Sequence, residues 1–591
     1  GDALTEGARN TAVGVAALTN ETLGQYSTAI GYGALSASNQ TTAVNTYNVA
    51  VGYLAGEDVT TGTLNTLVGG LAGDALTTGD SNVALGYQAL SADTKGARSV
   101  AIGRDALISQ NFTTATNAVN VAVGDRSGDA VTTGIENTLI GGSSGSGLQD
   151  ADFNVAVGAS ALTTDTLGSR STAIGTSALQ TQNFTTATDA YNTAVGFQAG
   201  KAVTTGTINT YVGGKAGSTS NTAGSNVAVG YDSLALNTKG NKNVAVGESA
   251  LYTFNSTTAT DTYNTAVGHH AGVSVTTGIR NTVVGGLAAD AVTTGQYNSV
   301  LGFGALTAET SGSASTAVGY LALSTQNTQA TNYNTAVGYE AGKSITTGTS
   351  NTFIGGLCGD TTDDGTGNTG VGESALGANC GDANTAVGQV CLESVTGSDN
   401  TGIGAGAGNA INSGSNNIVI GHDAGRSGSP GGNITTGNNQ IGLGDENISS
   451  FFAQVALTVS SDARDKTDFV DLDLGLDFVK ALEPVTYYWD KRSKYGDKYA
   501  DDYDLDAQTP DGTHKEDWMD VGFKAQAVQA LEEAAGYKLS DKKNLTVSLS
   551  DDGKMYGLRY EKFVPILVKA IQDQDAIIQS LTARIAALES N

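Results

Sequence analysis

Apolar positions return at a fixed interval through the first three quarters of the chain. A motif close to Asn-Thr-Ala-Val-Gly recurs from Asn10 to about Asn417. Its first position falls at Asn48, Asn65, Asn82 and Ser99, then at Asn120, Asn137, Asn154 and Ser171. The steps are 17, 17, 17 and 21 residues, which makes a 72-residue super-repeat from Asn48 to Asn120. The same series runs on from Asn192 and Asn264; the next step, to Asn334, is 70, and after Asn351 the steps settle at 16 or 17. A short period held this long is the signature of a solenoid.

The period is too short for a pair of helices, so the rungs must be β. In the rung that opens at Asn192, Thr193-Ala194-Val195 alternates as a strand does, and Gly196 permits a turn that a Cβ would hinder. Ala199 and Val203 supply a second apolar set before Thr204-Thr205-Gly206 turns the chain back. The pattern predicts two short strands and two turns per rung, each strand pairing in parallel with its copies about 4.8 Å away. About two dozen such rungs would form a rod on the order of 120 Å long.

The pattern changes after Ser450, where Gly thins out, charge rises, and both Trp and all but one Pro appear. At the end of the chain Leu567, Ile571, Gln574, Ile578, Leu581, Ile585 and Leu588 are spaced 4, 3, 4, 3, 4 and 3, which predicts a short coiled coil with a polar residue in its seam. The expected organisation is a repetitive shaft over 1–447, a connector over 448–460 and a separate α+β unit over 461–591, with its terminal helix at about 563–591.

Composition narrows the function. Gly counts 80 and Pro only 4, with no three-residue period, so collagen is excluded. Aromatics make up only 6%, so the core must be built from small side chains, as a narrow solenoid allows. The net charge of −28 argues against nucleic acid as a partner. No run of about 20 apolar residues exists, so no membrane insertion by a helix is expected. The 3 Cys lack zinc-ligand spacing. Cys358 and Cys391 stand seven residues after a motif Asn, where other rungs have Ala, and read as buried small residues about two rungs apart. Neither a metal nor a cofactor is called for, and no acid pair of a glycosidase recurs in the shaft.

Two features could contact a partner. The 21-residue rungs carry an extra segment, Gln110–Thr114, Gln182–Thr186 and Phe254–Thr258, which would project every four rungs. It serves either as a receptor-contacting loop or as packing against a neighbouring protomer. An aromatic residue or His often follows the turn Gly, as at Tyr32, Tyr53, Phe197, Tyr231, His269, Phe303 and Tyr320. A ladder of stacked rings or a contact between chains is the plainer reading; a glycan-binding stripe is the alternative.

The Asn-Thr-Ala-Val-Gly rungs resemble the head of trimeric adhesins of the YadA type, which implies a left-handed parallel β-roll, although the rung here is longer. The C-terminal unit carries Ser461-Asp462-Ala463-Arg464-Asp465-Lys466, then Gly475-Leu476-Asp477-Phe478, Glu483-Pro484-Val485-Thr486-Tyr487-Tyr488-Trp489, Gly522-Phe523-Lys524-Ala525-Gln526 and Leu558-Arg559-Tyr560-Glu561-Lys562-Phe563. These motifs resemble the intramolecular chaperone domain of phage tailspikes and fibres, the peptidase S74 family of the endosialidases. That resemblance implies a homotrimer whose chaperone directs folding of the shaft and then cuts itself off before the Ser of Ser-Asp-x-Arg-x-Lys. The scissile bond would join Ser460 to Ser461. Ser461 would be the nucleophile, with Lys466 as the base, its neutral amine favoured by burial. Arg464 would stabilise an oxyanion or simply hold a carboxylate. The chain departs from the family at Ala527, where Glu is common, which bears on cleavage rather than fold. Peptide rules for Ile at a and Leu at d favour a dimer, but a whole domain outweighs three heptads.

The expected function is therefore a phage tail fibre or related virion appendage that attaches to a host surface receptor, glycan or outer-membrane protein. Its only chemistry would be a single-turnover Ser/Lys self-cleavage. The alternatives are a trimeric adhesin at a bacterial cell surface, which should end in membrane strands, and a polysaccharide-degrading tailspike.

Overall fold

Each regular rung carries one three-residue strand whose middle side chain is buried and whose flanking residues are half-exposed, as in Thr193–Val195. The computed structural model describes residues 1–455, 457–498, 500 and 502–590. The strands stack in parallel and in constant register, so Ala194 lies opposite Ala173 on one side and Tyr211 on the other. The protein is mainly β, a parallel solenoid of about 24 turns with rungs of about 17 residues. It divides into two compact units, Gly1–Asn334 and Thr335–Asn591. The first is built of rungs throughout. The second begins with rungs, up to the strand Ile441–Leu443, and ends in a small α+β region.

One expectation is corrected. The second apolar set, Ala199 and Val203, is fully buried but lies outside any strand. Among the described residues a second strand pair forms only where a long rung follows a regular one: Gly96–Ala97 pairs with Thr116–Asn117, Gly168–Ser169 with Thr188–Asp189, and Gly240–Asn241 with Thr260–Asp261. The first member of each pair lies in a 17-residue rung, and the four extra residues of the next rung carry a partner alongside it.

Hydrogen bonding explains why Asn opens each rung. The buried Asn65 accepts at Oδ1 from the Asn82 N–H at 2.9 Å, and its Nδ2 donates to the Gly79 carbonyl at 2.9 Å. Its own N–H donates to Asn48 Oδ1 at 3.0 Å. Each amide so satisfies turn groups that would otherwise be buried unpaired, at about 1–3 kcal/mol apiece. Ser takes the position at Ser99 and Ser171, and both open long rungs. The shorter side chain admits a Gln from the inserted segment. Gln110 Nε2 donates to Ser99 Oγ at 3.1 Å and to the buried Asp93 at 2.6 Å, while its Oε1 accepts from Asn120 at 2.9 Å. Gln182 repeats this with Ser171, Asp165 and Asn192. Burial raises the Asp165 carboxyl above its ordinary range, against the hydrogen bonds from Gln182 and the Phe184 amide.

These anchors fold part of each inserted segment inward. Phe112 and Phe184 are only 6% exposed and Phe254 is fully buried. Phe184 lies over Gly168 and Phe254 over Gly240, where a Cβ would come within 2.7 and 2.8 Å of the rings. Beside these rings Asn111, Thr113-Thr114, Asn183 and Thr185-Thr186 remain exposed. The residues after the turn Gly form the expected ladder where neighbouring rungs both carry a ring, with centroids 5.6 Å apart for Tyr32–Tyr53 and 5.9 Å for Phe303–Tyr320.

Core volume explains the 72-residue super-repeat. Successive strand centres read Ala122, Leu139, Ala156, Ala173, then Ala194, Tyr211, Ala228, Ala245. The buried turn position that faces them reads Gly128, Gly145, Leu162, Leu179, then Gly200, Gly217, Leu234, Leu251. A Cβ at Gly128 or Gly145 would approach Leu139 to 2.7 or 2.6 Å, and one at Gly200 or Gly217 would approach Tyr211 to 2.8 or 2.5 Å. One large strand residue thus occupies the space of two missing turn side chains. The Tyr211 hydroxyl donates to Ser220 Oγ at 2.9 Å, and burial pushes its pKa up to about 12.

The buried cysteines follow the same rule, as expected of small core residues. Cys358 and Cys391 stand where other rungs have Ala, and the facing strand centres are Gly370 and Gly402 instead of Ala. A Cβ at Gly370 would lie 2.6 Å from Cys358 Sγ. Gly370→Ala is therefore expected to destabilise its rung by about 1–3 kcal/mol, read as faster hydrogen exchange in Thr369–Val371. Adding Cys358→Ala should recover most of that loss. A double variant no better than the single one would refute the packing account.

Beyond Leu443 the chain has little regular structure until α1 (Leu476–Ala481). α2 spans Ala525–Ala534 and α3 spans Phe563–Glu589. Two antiparallel pairs, Val485–Tyr487 with Asp520–Gly522 and Val547–Leu549 with Tyr556–Leu558, complete the region. Its core joins Leu474, Phe478, Val528, Val547, Phe563 and Ile566. Glu532 is buried in α2 and accepts from the Thr546 N–H and hydroxyl at 2.6 and 2.5 Å. The same unit ties this region to its last rungs. Lys498 Nζ lies 2.9 Å from Glu446 and 3.1 Å from Asp423, while Gln440 donates to Asp551 at 2.7 Å. Burial alone would lower the Lys498 amine, but Glu446 and Asp423 outweigh it and hold the pKa above the ordinary lysine value.

Candidate autocleavage site

Ser461 and Lys466 flank a single turn of 3-10 helix, Ala463–Asp465. Asp462 caps the turn, its side chain accepting from the Arg464 N–H at 2.9 Å. At the far end the Lys466 N–H donates to the Ala463 carbonyl at 3.3 Å, and Lys466 itself is extended, with φ −125° and ψ 148°. This reversal brings together two side chains five residues apart. Lys466 Nζ donates to Ser461 Oγ at 2.5 Å and to the Ser461 carbonyl at 3.3 Å.

Arg464 pairs with the carboxylate of Asp462 in the single chain. Its Nε donates to Asp462 Oδ1 at 3.1 Å and its Nη2 to Oδ2 at 2.6 Å. The pairing holds the Asp462 carboxyl below the ordinary range and raises the guanidinium. This clasp stiffens the turn between Ser461 and Lys466. The pair is exposed, so its effect lies in geometry more than in stability.

Ser460, Ser461, Arg464 and Lys466 are all exposed in the single chain. The burial expected around Lys466 is therefore not supplied by its own chain. The flanking apolar residues Val455, Leu457, Val459, Phe469 and Val470 are also uncovered, at 72–89%. Ala527 lies in the first turn of α2, in a shallow depression with Leu482, Glu483, Phe523 and Lys524. The two carboxylates of α2 are engaged elsewhere: Glu532 with Leu545 and Thr546, and Glu533 with Gln529.

Residues 461–537 match the family model for peptidase S74, chaperone of endosialidase. Ser461 is the first residue matched, and α3 lies beyond the match. Comparison with curated proteins and with solved structures gave no match. The chain is thus a parallel β-solenoid that carries an S74-type chaperone domain at its C-terminal end. The sequence motif contained the Ser–Lys pair and its Arg. It did not reveal the Asp462 clasp, because a carboxylate two residues from an Arg is too common to single out.

Proposed function

We propose that this chain is a fibre of a phage virion, serving attachment to a host surface. Three copies assemble through residues 461–591, which then cut themselves off between Ser460 and Ser461. The observation that carries the reading is the 2.5 Å contact between Lys466 Nζ and Ser461 Oγ at the first residue of the chaperone match.

The chemistry needs only these groups. The Ser461 hydroxyl gives its proton to the Lys466 amine as Oγ bonds to the Ser460 carbonyl carbon. The C–N bond then breaks, its nitrogen takes the proton back as the new N-terminus, and the chain is held as an ester. Water hydrolyses the ester and frees the shaft. The first step requires a neutral amine. Burial of Lys466 by neighbouring copies supplies the missing condition and makes the cut wait for assembly.

Exposed apolar surface supports that assembly. Ile571, Ile578, Leu581, Ile585 and Leu588 form one seam along α3 and are 49–76% exposed in the single chain. Such a seam is covered when parallel copies wind together, with Gln574 fixing register. The connector adds Val455, Leu457 and Val459 in strand-like alternation. Sedimentation or native mass spectrometry of the purified shaft should give a trimer. A stable monomer would refute the fibre architecture.

A further inference from the structure

We propose that Glu248, His269 and His270 form a binding site for a divalent transition-metal ion of the Zn2+ or Ni2+ kind on the side of the solenoid. Among the described residues this is the one group of three such side chains whose ligand atoms all lie within 4.8 Å of one another. Rung stacking assembles it. Glu248 follows the turn Gly247, His269 follows the turn Gly268, and their strands, Val244–Val246 and Thr265–Val267, are paired in register. Glu248 Oε2 comes within 3.8 Å of His269 Nε2. The His270 N–H donates to the Glu248 carbonyl at 3.0 Å, which fixes the backbone of all three ligands. The two imidazoles stack with centroids 4.0 Å apart.

The ladder position matters. Other rungs place Tyr231, Phe303 or Tyr320 there, and the next rung places Gly286. Gly286 has no side chain of its own, and the ring of Phe303 from the following rung lies against it, 3.5 Å from where a Cβ would stand. Two imidazoles with a carboxylate suit zinc, nickel and copper better than calcium or magnesium. A tetrahedral zinc site needs donor atoms about 3.3 Å apart. Glu248 and His269 are each 57% exposed at the side chain, so rotation about their χ angles can close the remaining ångström without disturbing the rung. Three protein ligands leave the fourth position to water, which points to an affinity on the order of micromolar.

The test uses untagged full-length protein in metal-free buffer, titrated calorimetrically with Zn2+ and separately with Ni2+. One saturable site per chain is expected. His269→Ala, His270→Ala and Glu248→Gln should each weaken it by about tenfold or more, with far-UV circular dichroism unchanged. Co2+ should give a visible d–d absorption that the two His variants lose. Absence of a saturable site near one ion per chain would overturn the assignment. So would an affinity that all three variants retain, since the acidic surface would then be holding the ion.

Discussion

Ser461→Ala and Lys466→Ala are each expected to leave a single full-length band on a denaturing gel, with trimer formation intact. The unmodified protein should give a shaft band and a C-terminal piece running from 461 through 591, beginning with Ser461 on N-terminal sequencing. The effect should be all or none, because the reaction turns over once and has one nucleophile. Lys466→Arg sharpens the test. Arginine keeps the charge and the length but does not give up its proton, so it should block cleavage as fully as Ala does. Cleavage should lag assembly, since Lys466 is exposed in the single chain and burial by neighbouring copies would favour the neutral amine that the first step needs. Once trimers exist, the rate should not change on dilution. Unmodified protein that stays intact after verified trimerisation would sink the Ser–Lys assignment, and Ala527 would then be the first position to restore to Glu.

A gene that stops at Ser460 should yield mostly insoluble or unassembled chains, although the cleaved shaft has the same sequence and should be soluble. The rungs explain the difference. Every strand pairs with a partner at least 16 residues away, so no rung holds together before its neighbour arrives. Such folding is slow and leaves strand edges open meanwhile. On the proposed function, a C-terminal domain that joined three chains first would set their mutual register and shorten the exposed interval. Once the shaft is complete, its persistence depends on the rate of unfolding rather than on the clamp. Soluble trimers from the truncated gene, in a yield equal to that of the full gene, would disprove the chaperone role.

The rungs were legible because their signal is local and repeated. Asn-Thr-Ala-Val-Gly gives the strand, the turn and the spacing together. The second strand was misread because Ala199 and Val203 are apolar and buried, which satisfies a pattern rule without an extended backbone. The inserted segments were read as projecting, and Phe112 and Phe184 fold back because Asp93 and Asp165 hold their amides. Those acids lie 19 residues upstream, one rung away. Glu248 and His269 are 21 residues apart in sequence and adjacent in space for the same reason. The burial of Lys466 was expected from the chemistry. A single chain does not provide it, and no pattern within one sequence describes what a neighbouring copy would add.

The alternation of core volume has a consequence for inheritance. Deleting the rung that holds Leu139 or Tyr211 would leave a void beside Gly128 or Gly200, whereas a rung of the Ala156–Leu162 kind can be doubled or lost with its neighbours unchanged in kind. Gain or loss of a whole 72-residue block restores every neighbour to its former kind. The length of the solenoid can therefore change by a whole block, or by single rungs of the Ala–Leu kind, without opening a void in its core. The same degeneracy leaves the interior blind to a slip of one whole block, so in an assembly of several copies the rung pattern alone would not set which blocks align.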